Sequence, residues 1–164
     1  METIEVQVRR LSVVSDKPFE EIVKTFTATI GRPDATSFHK SVATAKTLDE
    51  LEGVVHAAVG SSNLMEFARF DVGDVLREES GARARRSLRL VVGKPLIMKE
   101  MVKTVPDAAS YAPVTVLIDE RADGVHLSYD SMASLISPYG SEAALAIARD
   151  LDAKVESLLE TTAH

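Results

Sequence analysis

The sequence predicts an α+β fold: a mainly antiparallel sheet of about five strands with a long C-terminal helix packed on one face. Three observations lead to this prediction. Stretches with strand periodicity rarely alternate with long helices, which argues against a doubly wound parallel sheet. Two of them flank Arg121-Ala122-Asp123-Gly124, a turn whose residue types join antiparallel strands. The last part of the chain carries an apolar stripe with helical spacing.

The chain begins with a strand pattern over residues 3–14. Apolar residues occupy even positions up to Val8 and odd positions from Leu11, so the pattern predicts a strand with a bulge near Arg9-Arg10.

Two helices are predicted after this strand. The first covers about 18–30, where Pro18 suits the first helical position. Residues 34–46 are ambiguous. Thr47-Leu48-Asp49-Glu50 is a capping-box pattern, which starts a second helix that ends near Val59.

The rest of the chain divides into strands and helices of ordinary length. The predicted elements are a strand over Leu64–Val72, a short helix over Asp74–Ser80, a strand over Arg85–Val92, a helix from Pro95 to about Thr104, a hairpin of Val114–Glu120 and Val125–Asp130, and a final helix capped by Ser141.

Length and composition predict one domain, residues 1–164. The chain has no cysteine, which excludes disulfides and cysteine-ligated metals. The first residues lack the pattern of a signal peptide, and no apolar run approaches the roughly 20 residues of a membrane span. We therefore expect a soluble cytoplasmic protein without membrane contacts.

The net charge of −6 disfavours nucleic acid as a partner. Basic residues concentrate in one segment, at Arg77, Arg83, Arg85, Arg86 and Arg89. No aromatic residues interleave with them, so we interpret this segment as a solvated strand face and expect no nucleic-acid partner.

From about Leu64 to Leu159 the sequence resembles the family called domain of unknown function 302. The segments that carry the resemblance are Phe70-Asp71-Val72-Gly73, Val92-Gly93-Lys94-Pro95-Leu96-Ile97-Met98, Tyr111-Ala112-Pro113-Val114 and Ser128-Tyr129-Asp130. The resemblance implies a fold like that of the TATA-binding protein and a homodimer, with residues 34–60 as an insert. It implies no activity, because the role of the family is itself unassigned.

The sequence departs from the family pattern at two points. Asp71-Val72 stands where many members have Asp-His, and Gly93-Lys94-Pro95 stands where many have Gly-Asn-Pro. The first departure removes a histidine that a metal or haem role would need. The second adds a positive charge at a helix N-terminus, where the helix dipole already favours anions.

Lys94 and Met98 are ligand-binding candidates at the predicted strand-to-helix turn. Backbone N–H groups there, together with Lys94, are suited to a phosphate or carboxylate. The alternative is a purely structural turn, with Met98 filling the core.

Arg69 and Asp71 are predicted to share one strand face with Met65 and Phe67. A charged pair among apolar residues is typical of a pocket mouth. It is equally typical of a salt bridge at the edge of a sheet.

Three candidates fall near the predicted hairpin. His126, Ser128 and Asp130 lie on one face of a strand about 7 Å apart, which is too far for a catalytic triad. Tyr129 is predicted to point inward, either as a core residue or as part of a pocket. Tyr111 is a further ligand-binding candidate within the family-like segments.

Metal ions and cofactors are not expected. The histidines, His39, His56, His126 and His164, show no ligand spacing.

Three functional hypotheses follow. The first is a domain that binds a small anionic or amphipathic molecule between sheet and helix. The second is an enzyme, an isomerase, lyase or hydrolase, that uses Asp71, Tyr129 and His126 in general acid–base chemistry. The third is a structural or protein-interaction domain that acts through its dimer surface or through residues 34–60.

Overall fold

The computed structural model describes residues 3–74 and 85–164. Its strands are β1 (Arg10–Ser15), β2 (Met65–Asp71), β3 (Ser87–Gly93), β4 (Val114–Arg121) and β5 (Gly124–Asp130). Its helices are α1 (Phe19–Thr29), α2 (Ala35–Thr44), α3 (Leu48–Ala58), α4 (Pro95–Val102), α5 (Met132–Ile136) and α6 (Glu142–Ala163). Short 3₁₀ turns cover Pro106–Ser110 and Ser137–Tyr139.

The predicted α+β class is confirmed. The strands form one sheet in the order β1-β5-β4-β3-β2, and every neighbouring pair is antiparallel. The long C-terminal helix α6 contacts β1 and β5 as well as α1, α4 and α5. The sheet therefore has one face covered by helices, and its edge strands are β1 and β2.

The two sheet faces differ in character because side chains alternate along each strand. The covered face carries the apolar residues of the hairpin, and its core members are Leu88, Leu90, Val92, Val114, Val116, Ile118, Val125, Leu127 and Tyr129. The opposite face, called here the open face, carries Arg10, Ser12, Val14, Phe70, Arg89, Thr115, Leu117, Asp119, His126, Ser128 and Asp130. Arg10, Val14, Phe70 and Arg89 are exposed on it.

A second, smaller apolar cluster joins α2 and α3 to the sheet. It contains Phe38, Val55, Ala58 and Met65. Residues 34–46, ambiguous in the sequence, contain α2, because Asp34 caps its first turn and Phe38 has this cluster to pack against.

Backbone hydrogen bonds of Gly31 connect this cluster to the edge of the sheet. Its N–H donates to the carbonyl of Leu64 at 2.8 Å, and its carbonyl accepts from the N–H of Glu66 at 2.8 Å. A Cβ at this position would overlap the carbonyl oxygen of Ala58, so only glycine allows α3 to approach so closely.

One prediction of local structure is wrong in extent, and one short helix has no counterpart among the predictions. The strand predicted over residues 3–14 is a ladder only over Arg10–Ser15, since residues 3–9 lie beyond the end of β5, the neighbour of β1. The short helix α5 was not predicted, because its five residues are too few for a clear period. The helix predicted over Asp74–Ser80 lies outside the described residues except for Asp74, as do Arg77 and Arg83 of the basic segment.

Candidate functional site

A cleft of about 230 Å³ lies between α2 and the start of β2. It is lined by Arg32, Pro33, Ala35, Phe38, His39, Met65, Glu66 and Phe67. Its lining combines a buried apolar floor with charged side chains, and it is therefore our candidate binding site.

Local sequence sets the α2 wall of this cleft. Asp34 accepts a hydrogen bond from the backbone N–H of Ser37 at 2.8 Å, which fixes where α2 begins. The same contact holds the pKa of the Asp34 carboxyl below its ordinary value. Phe38, one turn further along, then packs towards the sheet.

The floor of the cleft is apolar. Phe38 is 8% exposed and Met65 is 2% exposed, and both belong to the cluster that joins α2 and α3 to the sheet. Phe67 packs against the same cluster at a β-bulge between Glu66 and Ala68. Because a bulge redirects a side chain, it lets consecutive residues of β2 line one cleft.

The cleft lining contains one guanidinium group, Arg32, and one carboxylate, Glu66, and Arg69 binds Glu66 from outside the lining. Glu66, whose side chain is 12% exposed, accepts two hydrogen bonds from Arg69, 3.0 Å from Nε and 2.8 Å from Nη2. Arg32 Nε lies farther away, 3.7 Å from the Glu66 carboxylate, and the Arg32 side chain is 57% exposed. The hydrogen bonds that Arg69 donates to Glu66 raise the pKa of Arg69 above its ordinary value.

This arrangement leaves Arg32 able to bind a second anion. Arg69 satisfies Glu66 with the two-pronged geometry that guanidinium and carboxylate prefer. Arg32 makes only the longer contact, so a ligand carboxylate at the mouth can engage it without breaking the pair of Glu66 and Arg69. His39 lies on the same rim.

Arg69 and Asp71 share one face of an edge strand, as the sequence predicts. The predicted alternation with Met65 and Phe67 is wrong, because the register shifts between Glu66 and Ala68. Arg69 reaches the cleft through Glu66. Asp71 lies at the far end of β2, where its Oδ1 accepts a hydrogen bond from the backbone N–H of Asp74 at 3.0 Å.

Lys94 and Met98 lie at the start of α4, outside the cleft. Lys94 is only 9% exposed, and its Nζ donates to Oδ1 of Asn63 at 2.9 Å. The void beside Lys94 and Met98 measures only about 10 Å³, which is too small for an organic ligand. In this structure Lys94 therefore ties α4 to the turn before β2.

Tyr129 points inward, as predicted, and is 1% exposed. Its hydroxyl donates to Oδ1 of Asp152 at 2.6 Å, and that carboxylate, 4% exposed, also accepts from Ser131 and from the backbone N–H groups of Met132 and Ala133. Burial, followed by the contact with Asp152, raises the pKa of Tyr129 far above its usual value.

His126 and Tyr111 lie away from both the cleft and Tyr129. His126 is on the open face, where its Nε2 lies 3.0 Å from Oδ1 of Asp123, and this contact lowers the pKa of the Asp123 carboxyl. The Tyr111 hydroxyl lies 2.7 Å from that of Tyr139, and this bond raises the pKa of Tyr139 to about 12.

The predicted candidates do not converge on one site. Tyr129 and His126 lie on opposite faces of β5, and Asp71 lies on β2, which β4 and β3 separate from β5. Strands β5 and β2 are three positions apart in the sheet, a separation of about 14 Å. Among the predicted candidates, Arg69 hydrogen-bonds to a residue that lines the cleft, Glu66.

Sequence reasoning missed most of the cleft and the buried carboxylate. Phe38 lies within residues 34–46, whose sequence pattern is ambiguous, and Arg32 follows a helix end without any motif. Asp152 did carry a signal, because it falls in register with Ala148, Val155 and Leu159 on the apolar stripe of α6.

Two larger depressions are more open to solvent than the cleft. A trough of about 540 Å³ runs along α6 past Lys154 and Leu158, and a groove of about 430 Å³ lies beside Asp152. Within residues 3–74 and 85–164, no group of three or more His, Asp or Glu side chains is arranged to hold a metal ion. No helix in the same ranges has the length and apolarity needed to cross a membrane.

Comparison with known families decides the classification. The family model "Domain of unknown function DUF302" matches residues 38–162. The chain belongs to this family. The predicted resemblance is thus confirmed, and the match includes both the cleft residues from Phe38 onward and the network around Asp152.

A solved DUF302 structure has the same fold. The crystal structure of an uncharacterized conserved DUF302 protein from Bacillus stearothermophilus is similar over 94% of this chain and 98% of that chain, with a TM-score of 0.65 and 12% identity. At this identity the likeness concerns the fold alone. No match was found among curated proteins.

Proposed function

We propose that this DUF302 domain binds a small amphipathic anion, a carboxylate with an apolar tail, in the cleft between α2 and β2. The observation that carries the proposal is the state of Arg32 at the cleft mouth. Arg69 binds Glu66 from outside the cleft lining, so Arg32 keeps only a 3.7 Å contact to that carboxylate, above an apolar floor.

The two parts of such a ligand match the two parts of the cleft. The tail gains free energy by covering Phe38, Met65 and Phe67, since burial of apolar surface is favourable. The carboxylate gains a charge-assisted hydrogen bond from Arg32, which has only a long contact to Glu66.

The size of the cleft limits the ligand. Drug-sized ligands occupy pockets of roughly 300–1,000 Å³, and the cleft measures about 230 Å³. A ligand of about ten non-hydrogen atoms at about 0.4–0.5 kcal/mol per atom would bind with a Kd of about 0.1–1 mM. Octanoate is a suitable probe of this size.

Titration of the ¹⁵N-labelled protein with octanoate tests the proposal by NMR. We expect saturable amide shifts at Phe38, Met65 and Phe67. Arg32→Gln should weaken binding about fivefold, which corresponds to one solvent-exposed charge contact of about 1 kcal/mol. Added salt should weaken binding in the same direction.

Matched controls distinguish the contribution of the ligand's charge to binding from the contribution of its apolar tail. Arg10→Gln removes an arginine from the open face, outside the cleft, and should leave octanoate binding unchanged. Octan-1-ol keeps the tail without the charge, and acetate keeps the charge without the tail, so both should bind more weakly. Equal binding of octanol and octanoate, or equal losses in Arg32→Gln and Arg10→Gln, would contradict the proposal.

Three further expectations stay proposals. The family resemblance supports a sheet-and-helix arrangement like that of the TATA-binding protein, and it supports a homodimer. The absence of cysteine is in keeping with a reducing compartment such as the cytoplasm. An enzymatic role and a purely structural role also stay predictions.

A further inference from the structure

The open face of the sheet carries a cavity of about 200 Å³ that the proposed function does not use. Three strands, β1, β3 and β4, each contribute one arginine to its lining. The pairing register places Ser128, Leu117 and Arg89 side by side across β5, β4 and β3, at the middle of this face. The polar side chains of the lining are Arg10, Arg89, Thr115, Arg121, Ser128 and Asp130.

Two of the three arginines use only part of their hydrogen-bonding capacity. Arg10 donates from Nε and Nη2 to the two carboxylate oxygens of Asp130, at 2.6 and 2.7 Å. Arg121 uses the same two nitrogens for the carboxylate of Asp119, at 2.6 and 3.2 Å. Since a guanidinium group has five N–H donors, each of these arginines keeps its Nη1 group for a further acceptor.

The third arginine, Arg89, forms no ion pair with any carboxylate in residues 3–74 and 85–164. Its Nη2 makes one long hydrogen bond, 3.4 Å to Oγ1 of Thr115. The guanidinium carbon lies 5.7 Å from the centre of the Phe70 ring, which is within the range of a cation–π contact. Stacking of this kind occupies a face of the guanidinium group, so the N–H groups at its edge are available to an anion.

The floor of the cavity supplies two hydroxyl groups. Ser128 is 7% exposed, and its Oγ lies 3.3 Å from Oγ of Ser12. A hydroxyl group has one donor and two acceptor positions, so this contact does not exhaust it. Oγ1 of Thr115 accepts the long bond from Arg89, which leaves its own O–H to donate. The cavity therefore combines O–H donors on its floor with N–H donors around its rim.

We propose that this cavity binds the phosphate group of a small, soluble phosphate monoester. Such a group carries a charge of about −1.5 to −2 at pH 7 and three acceptor oxygens, which suits donors that surround it on several sides. The net charge of −6 favours a small ligand over a polyanion or an anionic membrane, because the protein as a whole repels both. This site goes beyond the ligand-binding role proposed above and does not depend on it.

Titration of the ¹⁵N-labelled protein with inorganic phosphate, at pH 7 and constant ionic strength, tests the site by NMR. We expect saturable amide shifts at Thr115 and Ser128, with a Kd on the order of 1 mM for so small a probe. Arg89→Gln should weaken phosphate binding about tenfold, because it removes a charge-assisted donor. Arg89→Lys keeps the charge without the planar fork, so it should weaken binding less.

Asp130→Asn should change phosphate affinity in the opposite direction. This substitution removes the carboxylate of the lining and releases the Arg10 guanidinium group for the ligand, so phosphate should bind about fivefold more tightly. Asp150→Asn is the matched control: it changes the net charge equally, but it lies on α6 outside the lining and should leave phosphate binding unchanged. Because a damaged fold does not raise affinity, a tighter complex reports on the site itself.

Four results would each overturn the phosphate site. They are amide shifts that do not saturate, equal losses of phosphate affinity in Arg89→Gln and Arg32→Gln, an Asp130→Asn variant that binds no more tightly than Asp150→Asn, and sedimentation of the protein with phosphatidate vesicles. The last result would assign the same monoester chemistry to a membrane instead of a small ligand. Arg89→Gln should leave octanoate binding in the cleft between α2 and β2 unchanged, so the two proposals fail separately.

Discussion

The hydroxyl of Tyr129 and the carboxylate of Asp152 form a hydrogen bond of 2.6 Å inside the protein, with both residues less than 5% exposed. Tyr129 belongs to β5 and Asp152 to α6, so the bond joins the sheet to its covering helix. The same carboxylate accepts from the first N–H groups of α5, and it thereby connects three consecutive elements of the chain.

Tyr129→Phe should lower the free energy of unfolding by about 1.5–3 kcal/mol, since the lost hydrogen bond has a charged acceptor. Urea unfolding followed by circular dichroism measures this loss. Tyr111→Phe is the matched control: it removes the same atom from a half-buried bond to neutral Tyr139 and should cost about 0.5–1.5 kcal/mol. A smaller loss in Tyr129→Phe than in the control would argue against a stabilising role for the network.

Substitution by alanine should change the free energy of unfolding in opposite directions at Gly31 and at Gly53. Gly31→Ala forces a methyl group against the carbonyl oxygen of Ala58, and we expect a loss of about 3 kcal/mol. Gly53 lies within α3 with open space around it, so Gly53→Ala should stabilise the protein by about 0.5–1 kcal/mol. Thermal unfolding of both variants checks the prediction, and equal signs would contradict it.

The contact between Lys94 and Asn63 should appear as coupling in a double-mutant cycle. Asn63 has a φ of 60°, which glycine adopts freely, so Asn63→Gly removes the acceptor without backbone strain. In wild type this change leaves the buried ammonium of Lys94 without that acceptor, whereas in Lys94→Met it has no such effect. We expect a coupling of about 1.5 kcal/mol in urea unfolding. Additive effects of the two substitutions would refute it.

The ion pair of Arg10 and Asp130 should make stability depend on pH at the acid end. Arg10 donates to both oxygens of Asp130, 2.6 and 2.7 Å away, and these bonds lower the pKa of that carboxyl. The folded-state pKa is thus below the unfolded value of about 3.9. The contribution is therefore present above about pH 4 and is lost as the pH falls through the folded-state pKa.

An NMR titration of the side-chain carboxyl carbons measures this effect. Arg10→Gln should return the pKa of Asp130 towards its ordinary value, and at pH 7 it should cost only about 0.2–1 kcal/mol because the pair is exposed. Arg121→Gln, which removes a similar bond to Asp119, should leave the pKa of Asp130 unmoved. A titration of Asp130 that Arg10→Gln does not change would contradict the assignment.

Much of the fold was predictable because the signals are local. The capping residues Thr47 and Ser141 start helices where expected. Alternation over residues 114–130, on both sides of a short turn, predicts the hairpin and its buried face. Such patterns need only neighbours in sequence, and burial in the tertiary structure then reinforces them.

The candidate site was less predictable because it combines distant residues. Arg32, Phe38 and Glu66 come from three separate parts of the chain, and none belongs to a motif. Of the predicted candidates, Arg69 connects to the cleft through its hydrogen bonds to Glu66.

The sequence by itself determined the α+β class, the family and the inward face of each hairpin strand, because period and turn chemistry act over a few residues. Only the tertiary structure decided which polar groups meet. In the tertiary structure the buried Lys94 donates a hydrogen bond to Asn63, and Tyr129 donates one to Asp152. Tyr129 and His126 lie on opposite faces of the sheet. The physical reason is that a polar side chain gains its partner from packing between elements, and residue order along one strand or helix carries little information about that packing.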